Sequence, residues 1–308
     1  MFGRGHFSLG RQSIMKRKKL DGITIFLFLL PALVLFIGIL AAPLISSVVN
    51  SFYQYKGFGS KTWLGWDNYK RLFDKNQIPF WDSVVHAFIL AGFSVFLQLP
   101  LALGLALLLG RGIKGERFLL SVNFLPVLIS TVVIGQLWLK VFHPEGLVNS
   151  LLRVVGYLKE GDKNIQWLGD GQGKLLWACF IPMLWQYVGY HMLLMYAGVK
   201  SVPPELREAA KIDGATDWQV DRFVVIPSMK QILKVSVIFA VTGSLKSYDL
   251  IRIMATLQTK EASVPSTILM DYMTLRGEYG VASAVAVLLI LLCFFFAILI
   301  SAAFKERD

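Results

Sequence analysis

Cysteine is nearly absent from this chain: there are only Cys179 and Cys293, and both sit inside apolar runs. No disulfide framework or thiolate metal site is expected, and the pair reads as buried apolar side chains. Charge is scarce as well, at 17% of residues, where soluble domains carry about 25%. Acids are missing altogether from the first twenty residues, which hold Arg4, Arg11, Lys16, Arg17, Lys18 and Lys19. A complete nucleotide loop is also lacking. The glycine spacing of "GRGIKG" (Gly110 to Gly115) joins two apolar runs instead of a strand and a helix. "LGDGQGKLL" has Leu168 where a phosphate loop needs its first glycine, and Leu175 where Ser or Thr must follow the lysine. His86, His143 and His191 show no ligand spacing and read as satisfied structural histidines. No Ser/His/Asp constellation assembles. The chain is therefore expected to have no catalytic residues, no metal and no cofactor of its own.

What the chain does have is apolar residues, 55% of the total, with a mean hydropathy of +0.58. A soluble domain of 308 residues could not bury that much apolar surface. The reading is an all-α integral membrane protein with six transmembrane helices, since about 20 apolar residues cross the hydrocarbon core. The spans are placed at about 22–50, 84–109, 118–142, 175–199, 231–257 and 281–304, with "SLKSYDLIR" (Ser244 to Arg252) interrupting the fifth. The basic tail 1–21 marks the cytoplasmic side. The link "GRGIKGER" agrees, with Arg111, Lys114 and Arg117 against Glu116, and so does the short tail 305–308. Both termini of this multi-pass protein of the cell membrane are thus expected in the cytoplasm. The net charge of +11 is assigned to topology and not to nucleic acid. Segments 51–83 and 143–174 face outward and carry the interfacial aromatics Trp63, Trp66, Trp81 and Trp167.

Between spans four and five lies a polar unit, residues 200–227, that would face the cytoplasm. Pro203 and Pro204 suit a helix start. Leu206, Ala209, Ala210 and Ile212 form a small apolar stripe, and Gly214 is placed as a left-handed stop. Thr216 and Gln219 have the spacing of a capping box for a second helix, and Pro227 ends the register before the fifth span. From Arg207 to Lys230, the acids Glu208, Asp213, Asp217 and Asp221 balance Arg207, Lys211, Arg222 and Lys230. Shape recognition fits that balance better than charge attraction. A DNA-reading helix-turn-helix does not, because the second helix offers Asp217, Asp221 and Trp218 where phosphates demand bases.

This stretch resembles the EAA loop of the membrane-spanning subunits of binding-protein-dependent ABC importers. Glu208, Ala209, Ala210 and Gly214 match that pattern, Val224 and Ile226 stand at its aliphatic positions, and Pro227 matches its proline. "GWDNYKRLF", "RFLLSVNFLPVLIS" and "SLKSYDLIRIM" look like the carbohydrate branch of the same family. Where that branch often has a Gly-Gly-Pro turn after span five, this chain reads "ATLQTKEASVPST" (Ala255 to Thr267), which implies a different outer loop.

The resemblance implies a helix-turn-helix coupling loop that docks into a cytoplasmic ATPase. Glu208 would be its polar contact, Ala209 and Ala210 its close-packing surface, and Gly214 its turn. It implies two ATPase subunits that hold ATP and Mg, a second and different permease chain, and an external solute-binding protein. The cargo would be a sugar, specifically a di- or oligosaccharide. Intramembrane polar groups are the candidates for its path: Lys246, Ser247, Tyr248 and Asp249, with Asn123, Gln136 and Trp138, and Gln186, Tyr187, Tyr190 and His191. Some of these would instead join helices to one another, and Lys246 and Asp249, three apart on one face, would neutralise each other. The alternatives are a permease for another solute such as glycerol phosphate, an ATP-independent transporter or channel, or a membrane-embedded enzyme.

Overall fold

A proline inside an apolar helix leaves the carbonyl four residues earlier without its donor, and the helix must bend or widen there. The computed structural model describes residues 22–159, 161–169, 174–255 and 262–305. The N-terminal tail 1–21, the last two residues of the expected fifth span, residues 256–261 of the segment replacing the Gly-Gly-Pro turn, and residues 306–308 lie outside the described residues.

Helix α1 (Gly22–Asn50) leads into a small antiparallel ladder, β1 (Tyr53–Gln54) and β2 (Thr62–Trp63), in which Tyr53 pairs with Trp63. Then come α2 (Asp67–Phe73) and α3 (Phe80–Gly110). Next are α4 (Glu116–Leu128), α5 (Thr131–Val141), α6 (Leu147–Val154) and α7 (Lys174–Ser201). Two helices, α8 (Pro204–Ile212) and α9 (Asp217–Ser228), form an elbow. The rest are α10 (Lys230–Leu245), α11 (Asp249–Met254), α12 (Pro265–Thr274) and α13 (Tyr279–Ala303). Three helices widen into π-turns: Phe36–Ala41 before Pro43, Ser94–Gln98 before Pro100, and Asp221–Val225 before Pro227. In each case the carbonyl orphaned by the proline (of Ile39, Phe96 or Phe223) falls inside the widened turn.

Among the described residues, α1, α3 and α13 are long and apolar enough to cross a membrane; counting each of two sharply bent helix pairs as one span gives five. Helix α7 has the length, 28 residues, but Gln186, Tyr187, Tyr190 and His191 dilute its hydropathy. It is enclosed by α3, α4 and α10 and does not need an apolar face toward lipid on every side.

Two expected spans are not single helices. The stretch 118–142 is α4 and α5, which meet at 94°. Pro126 removes one rung of the ladder, and Ile129 and Ser130 then run extended, with ψ of 136° and 133°. The stretch 231–257 stops at Leu245 and restarts at Asp249, so the polar Lys246–Tyr248 segment is an interruption of the helix itself. Non-helical backbone at such depth is tolerated only against protein or a wet cavity. Here Gln186 of α7 donates its Nε2 to the Ile129 carbonyl and to Thr131 Oγ1, both at 3.4 Å, and Ser266 donates to the Ser247 carbonyl at 2.6 Å. The two half-helices α5 and α11 pack on each other.

Three apolar clusters divide the bundle. One, around Leu175, Cys179, Met183 and Leu250, joins α3, α7, α10 and α11. A second, around Met192, Met195, Val199, Val225 and Met229, lies at the elbow end. The third, around Leu72, Phe80, Tyr272 and Val285, lies at the opposite end. There Phe52 packs within 5.8 Å of Trp63 and 5.0 Å of Trp66.

At that opposite end a single buried side chain holds the loop after α5. Asn149 donates its Nδ2 to the carbonyls of Pro144 and Ile165, both at 2.9 Å, and accepts from Trp167 Nε1 at 3.2 Å. Asn149→Ala leaves two carbonyls and an indole N–H unmatched, so a loss of about 2–3 kcal/mol is expected. A thermal melt of the purified protein, several degrees below wild type, checks this.

Candidate functional site

The two interruptions meet at a cavity of about 530 Å³. Val127 and Thr131 reach it from the α4–α5 bend, and Lys246 to Leu250 from the α10–α11 gap. Helix α3 contributes Ser94 and Gln98 from its π-turn, helix α7 contributes Met183, Tyr187, Tyr190 and His191, and α10 contributes Phe239, Thr242 and Ser244. Gln98 and His191 are almost wholly buried, 3% and 5% exposed. Among the described residues neither side chain has a hydrogen-bond partner, and the His191 Nδ1 is in addition shut away from solvent. The expectation of a satisfied structural histidine holds for His86, whose Nδ1 lies 3.0 Å from the Ser263 carbonyl, but fails for His191. A buried polar group left unmatched costs roughly 1–3 kcal/mol. On the cavity wall the Gln98 amide stands with the aromatic faces of Tyr187, Tyr190 and Phe239.

The expected neutralisation of Lys246 by Asp249 does not occur. It presupposed continuous helix, and the chain breaks between them. Among the described residues neither side chain has an ion-pair partner, while Arg252 pairs with Asp271 at 3.0 Å.

At the elbow, helix α8 begins at Pro204, and Gly214 turns the chain with φ +85°. The capping box closes: Thr216 Oγ1 accepts from the Gln219 N–H at 3.4 Å, and Gln219 Oε1 accepts from the Thr216 N–H at 2.7 Å. Glu208 and Ala209 are exposed, as are Ile212 at 86% and Phe223 at 68%. Ala210 faces the other way, half-buried against the cluster that contains Val220 and Val225. Of the two alanines, only Ala209 is on the open face. Asp217 receives Lys211 Nζ at 3.0 Å, and this hydrogen bond holds its carboxyl below the usual range.

The sequence from residue 98 to 307 matches the profile of a family described as the inner-membrane component of binding-protein-dependent transport systems. The chain belongs to this family. A probable ABC transporter permease of Bacillus subtilis is 32% identical over 87% of this permease and 91% of its own length. A permease protein of a diacetylchitobiose uptake system from Streptomyces coelicolor is 28% identical, covering 92% and 84%. The permease MalF of a trehalose/maltose transport system from Thermococcus litoralis is 27% identical, covering 89% and 90%. In fold, the permease is similar to a chain from the crystal structure of a bacterial ABC transporter that imports the acidic polysaccharide alginate. The TM-score is 0.79 at 21% identity, over 95% of this permease and 98% of that chain.

The remaining candidate residues are dispersed in the permease. Asn123 donates to the Leu119 carbonyl of its own helix at 2.8 Å, Gln136 is exposed, and Trp138 packs on Phe142 and Trp185. Gln186 serves the α4–α5 bend. Of the sequence candidates, Lys246, Ser247, Tyr248, Asp249 and Tyr190 line the cavity, along with Tyr187 and His191. Sequence reasoning passed over Ser94, Gln98, Thr131, Phe239, Thr242 and Ser244. Only Gln98, a lone amide in "SVFLQLP" ahead of a proline, left a readable signal.

Proposed function

We propose that this permease forms half of the membrane path of an ATP-driven importer for a di- or oligosaccharide. The sugar is delivered by an external solute-binding protein. The chain crosses the membrane six times with both termini in the cytoplasm, and pairs with a second, different permease. The elbow α8–α9 docks into one of two ATPase subunits, which carry ATP and Mg. Glu208 and Ala209 face the ATPase, Gly214 sets the turn, and Pro227 ends the elbow.

The observation that carries the sugar reading is the cavity wall, where the Gln98 amide and the hydroxyls of Ser94, Thr131, Thr242 and Ser244 stand beside aromatic faces. Ring hydroxyls and flat sugar faces fit such a surface. Relatives named for diacetylchitobiose, for starch degradation products and for trehalose and maltose agree with it. The test is co-purification with the ATPase followed by reconstitution, with a panel of these sugars and the binding protein. Uptake should require both the binding protein and ATP hydrolysis. Transport by this chain alone without ATP would overturn the reading. In the same assay Gln98→Leu is expected to raise KM roughly tenfold at an unchanged membrane level, the worth of one buried hydrogen bond.

One observation favours a second cargo. Lys246 has no ion-pair partner among the described residues and lines the cavity, so it can meet a carboxylate or phosphate on the solute, while Asp249 on the same wall opposes an anion. Lys246→Gln should abolish uptake of an anionic solute, such as glycerol phosphate or an alginate oligosaccharide, and leave a neutral disaccharide nearly unaffected.

A further inference from the structure

The link between α3 and α4 has so far served only as a topology signal, yet it is tied to the elbow by charge. Arg111 directly follows α3. Its Nη2 donates to Asp221 Oδ2 at 2.5 Å, and its Nη1 lies 4.0 Å from Asp217 Oδ2. Asp217 and Asp221 are one helical turn apart on α9, so they are stacked on one face. The first is 57% exposed and the second 8%. The other oxygen of Asp217 is occupied by Lys211 of α8, which leaves Oδ2 open to Arg111. One guanidinium thus stands between two carboxylates, engaged with one and just short of the other.

The surroundings make this arrangement mechanical. At the near end of the link, Gly110 lies so close to Val199 of α7 that a Cβ there would collide with it. At the far end Glu116 begins α4 and is held by Lys200 at 3.3 Å and by the Tyr196 hydroxyl, both on α7. Helix α4 then runs to the bend whose Val127 and Thr131 line the cavity. Val220 and Val225 of α9, with Met229 just after it, share one apolar cluster with residues of α3 and α7. An ion pair between a half-exposed arginine and a buried aspartate adds little net stability to such a contact. Its value lies in choosing one register among several.

We propose that Arg111 is a movable strut between the elbow and the α3–α4 link, seated on Asp221 in the arrangement described here and passing to Asp217 when the elbow moves. Interfaces that repack by exchanging ion-pair partners over one helical turn behave as two-position devices. The strut joins the elbow to the link, and α4 extends from the link to the cavity wall. This inference rests on the reading of α8–α9 as the ATPase contact.

The test uses the complete importer complex in lipid nanodiscs. Spin labels are placed at Lys114 of the link and Ile212 of the elbow tip, with both native cysteines replaced by alanine. Distances are read without nucleotide and with ATP plus vanadate. Asp221→Asn removes the present seat and is expected to shift the population ratio roughly tenfold away from the wild-type distance. Asp217→Asn removes the alternative seat and should collapse the distribution onto the wild-type distance. Opposite shifts support the strut. Shifts in the same direction, or none with Asp217→Asn, overturn it. Because Asp217→Asn also frees Lys211, Lys211→Gln is read beside it, and an equal shift in that variant, which leaves both seats intact, overturns the strut as well. The variant shifts are read without nucleotide and remain decisive even when ATP and vanadate leave the wild-type distance unchanged. In that event it is the ATPase-contact reading that fails.

Discussion

Replacing Gly189 with valine is expected to leave almost no folded protein in the membrane. Gly189 lies on α7 where α4 passes, and a Cβ there would overlap the Asn123 carbonyl oxygen and come within 3.1 Å of Phe124 Cα. These are backbone atoms, so no side-chain rotation relieves the collision. Helix α4 cannot retreat cheaply either. Glu116 ties its start to Lys200 and Tyr196, and Gln186 holds the carbonyl at its end. By helix propensity alone, a side chain at this position would help by up to about 1 kcal/mol. Overpacking in a core that can adjust costs about 1–3 kcal/mol. Overlap with backbone that is tied at both ends cannot be relieved that way and consumes most of a total stability of about 5–15 kcal/mol. Gly189→Ala should already lower the melting temperature, and Gly189→Val should abolish the monodisperse peak in size-exclusion chromatography. A normal peak for the valine variant would mean that α4 and α7 separate more easily than their ties imply.

This close approach was invisible in the sequence, and the reason separates what could be read from what could not. The elbow was legible residue by residue because its determinants are local. A proline at a helix start, a glycine after Asp213 and a Thr–Gln pair three apart act through their own neighbours, and each does so at the stated position. The apolar character of α1, α3 and α13 was legible for the same reason. The bend in the third span was not, because hydropathy averages over a window longer than the break, and the fifth showed only a polar interruption of its apolar run. Pro126 carries no weight in such a window, and the spacing of Lys246 and Asp249 puts them on one face only of a helix that in fact ends at Leu245. The cavity was half legible. Polar residues at the breaks stood out, but Ser94 and Gln98 face inward through a π-turn whose phase depends on Pro100. His191 looked inert until its empty surroundings were seen. Tertiary placement, not residue type, decides such roles.

Gly214→Val is expected to reduce ATP-driven uptake at least tenfold while the protein stays at its normal membrane level. Gly214 has φ +85°, and a Cβ on it would have nothing within 4 Å, so side-chain volume meets no obstacle in this chain. The penalty is conformational, about 1–2 kcal/mol for an ordinary L-residue in the left-handed region and more for a β-branched one. The turn is closed by the N–H groups of Asp213, Gly214 and Ala215 on the carbonyls of Ala209, Lys211 and Ala210, each at 3.0 Å. Relaxing φ breaks that closure and swings one helix relative to the other. Helix α9 is held by the apolar packing of Val220 and Val225, so α8 is the part that moves, taking Glu208 and Ala209 with it. The bundle remains folded while the surface that would meet the ATPase under the proposed function is misaligned. Asparagine tolerates the left-handed region, which fixes an order for uptake: Gly214→Asn near wild type, Gly214→Ala lower, Gly214→Val lowest, all at equal membrane levels. If Asn were as damaging as Val, backbone conformation would not be the cause. The glycine would then be required for space against the docked ATPase, because this chain leaves that space open.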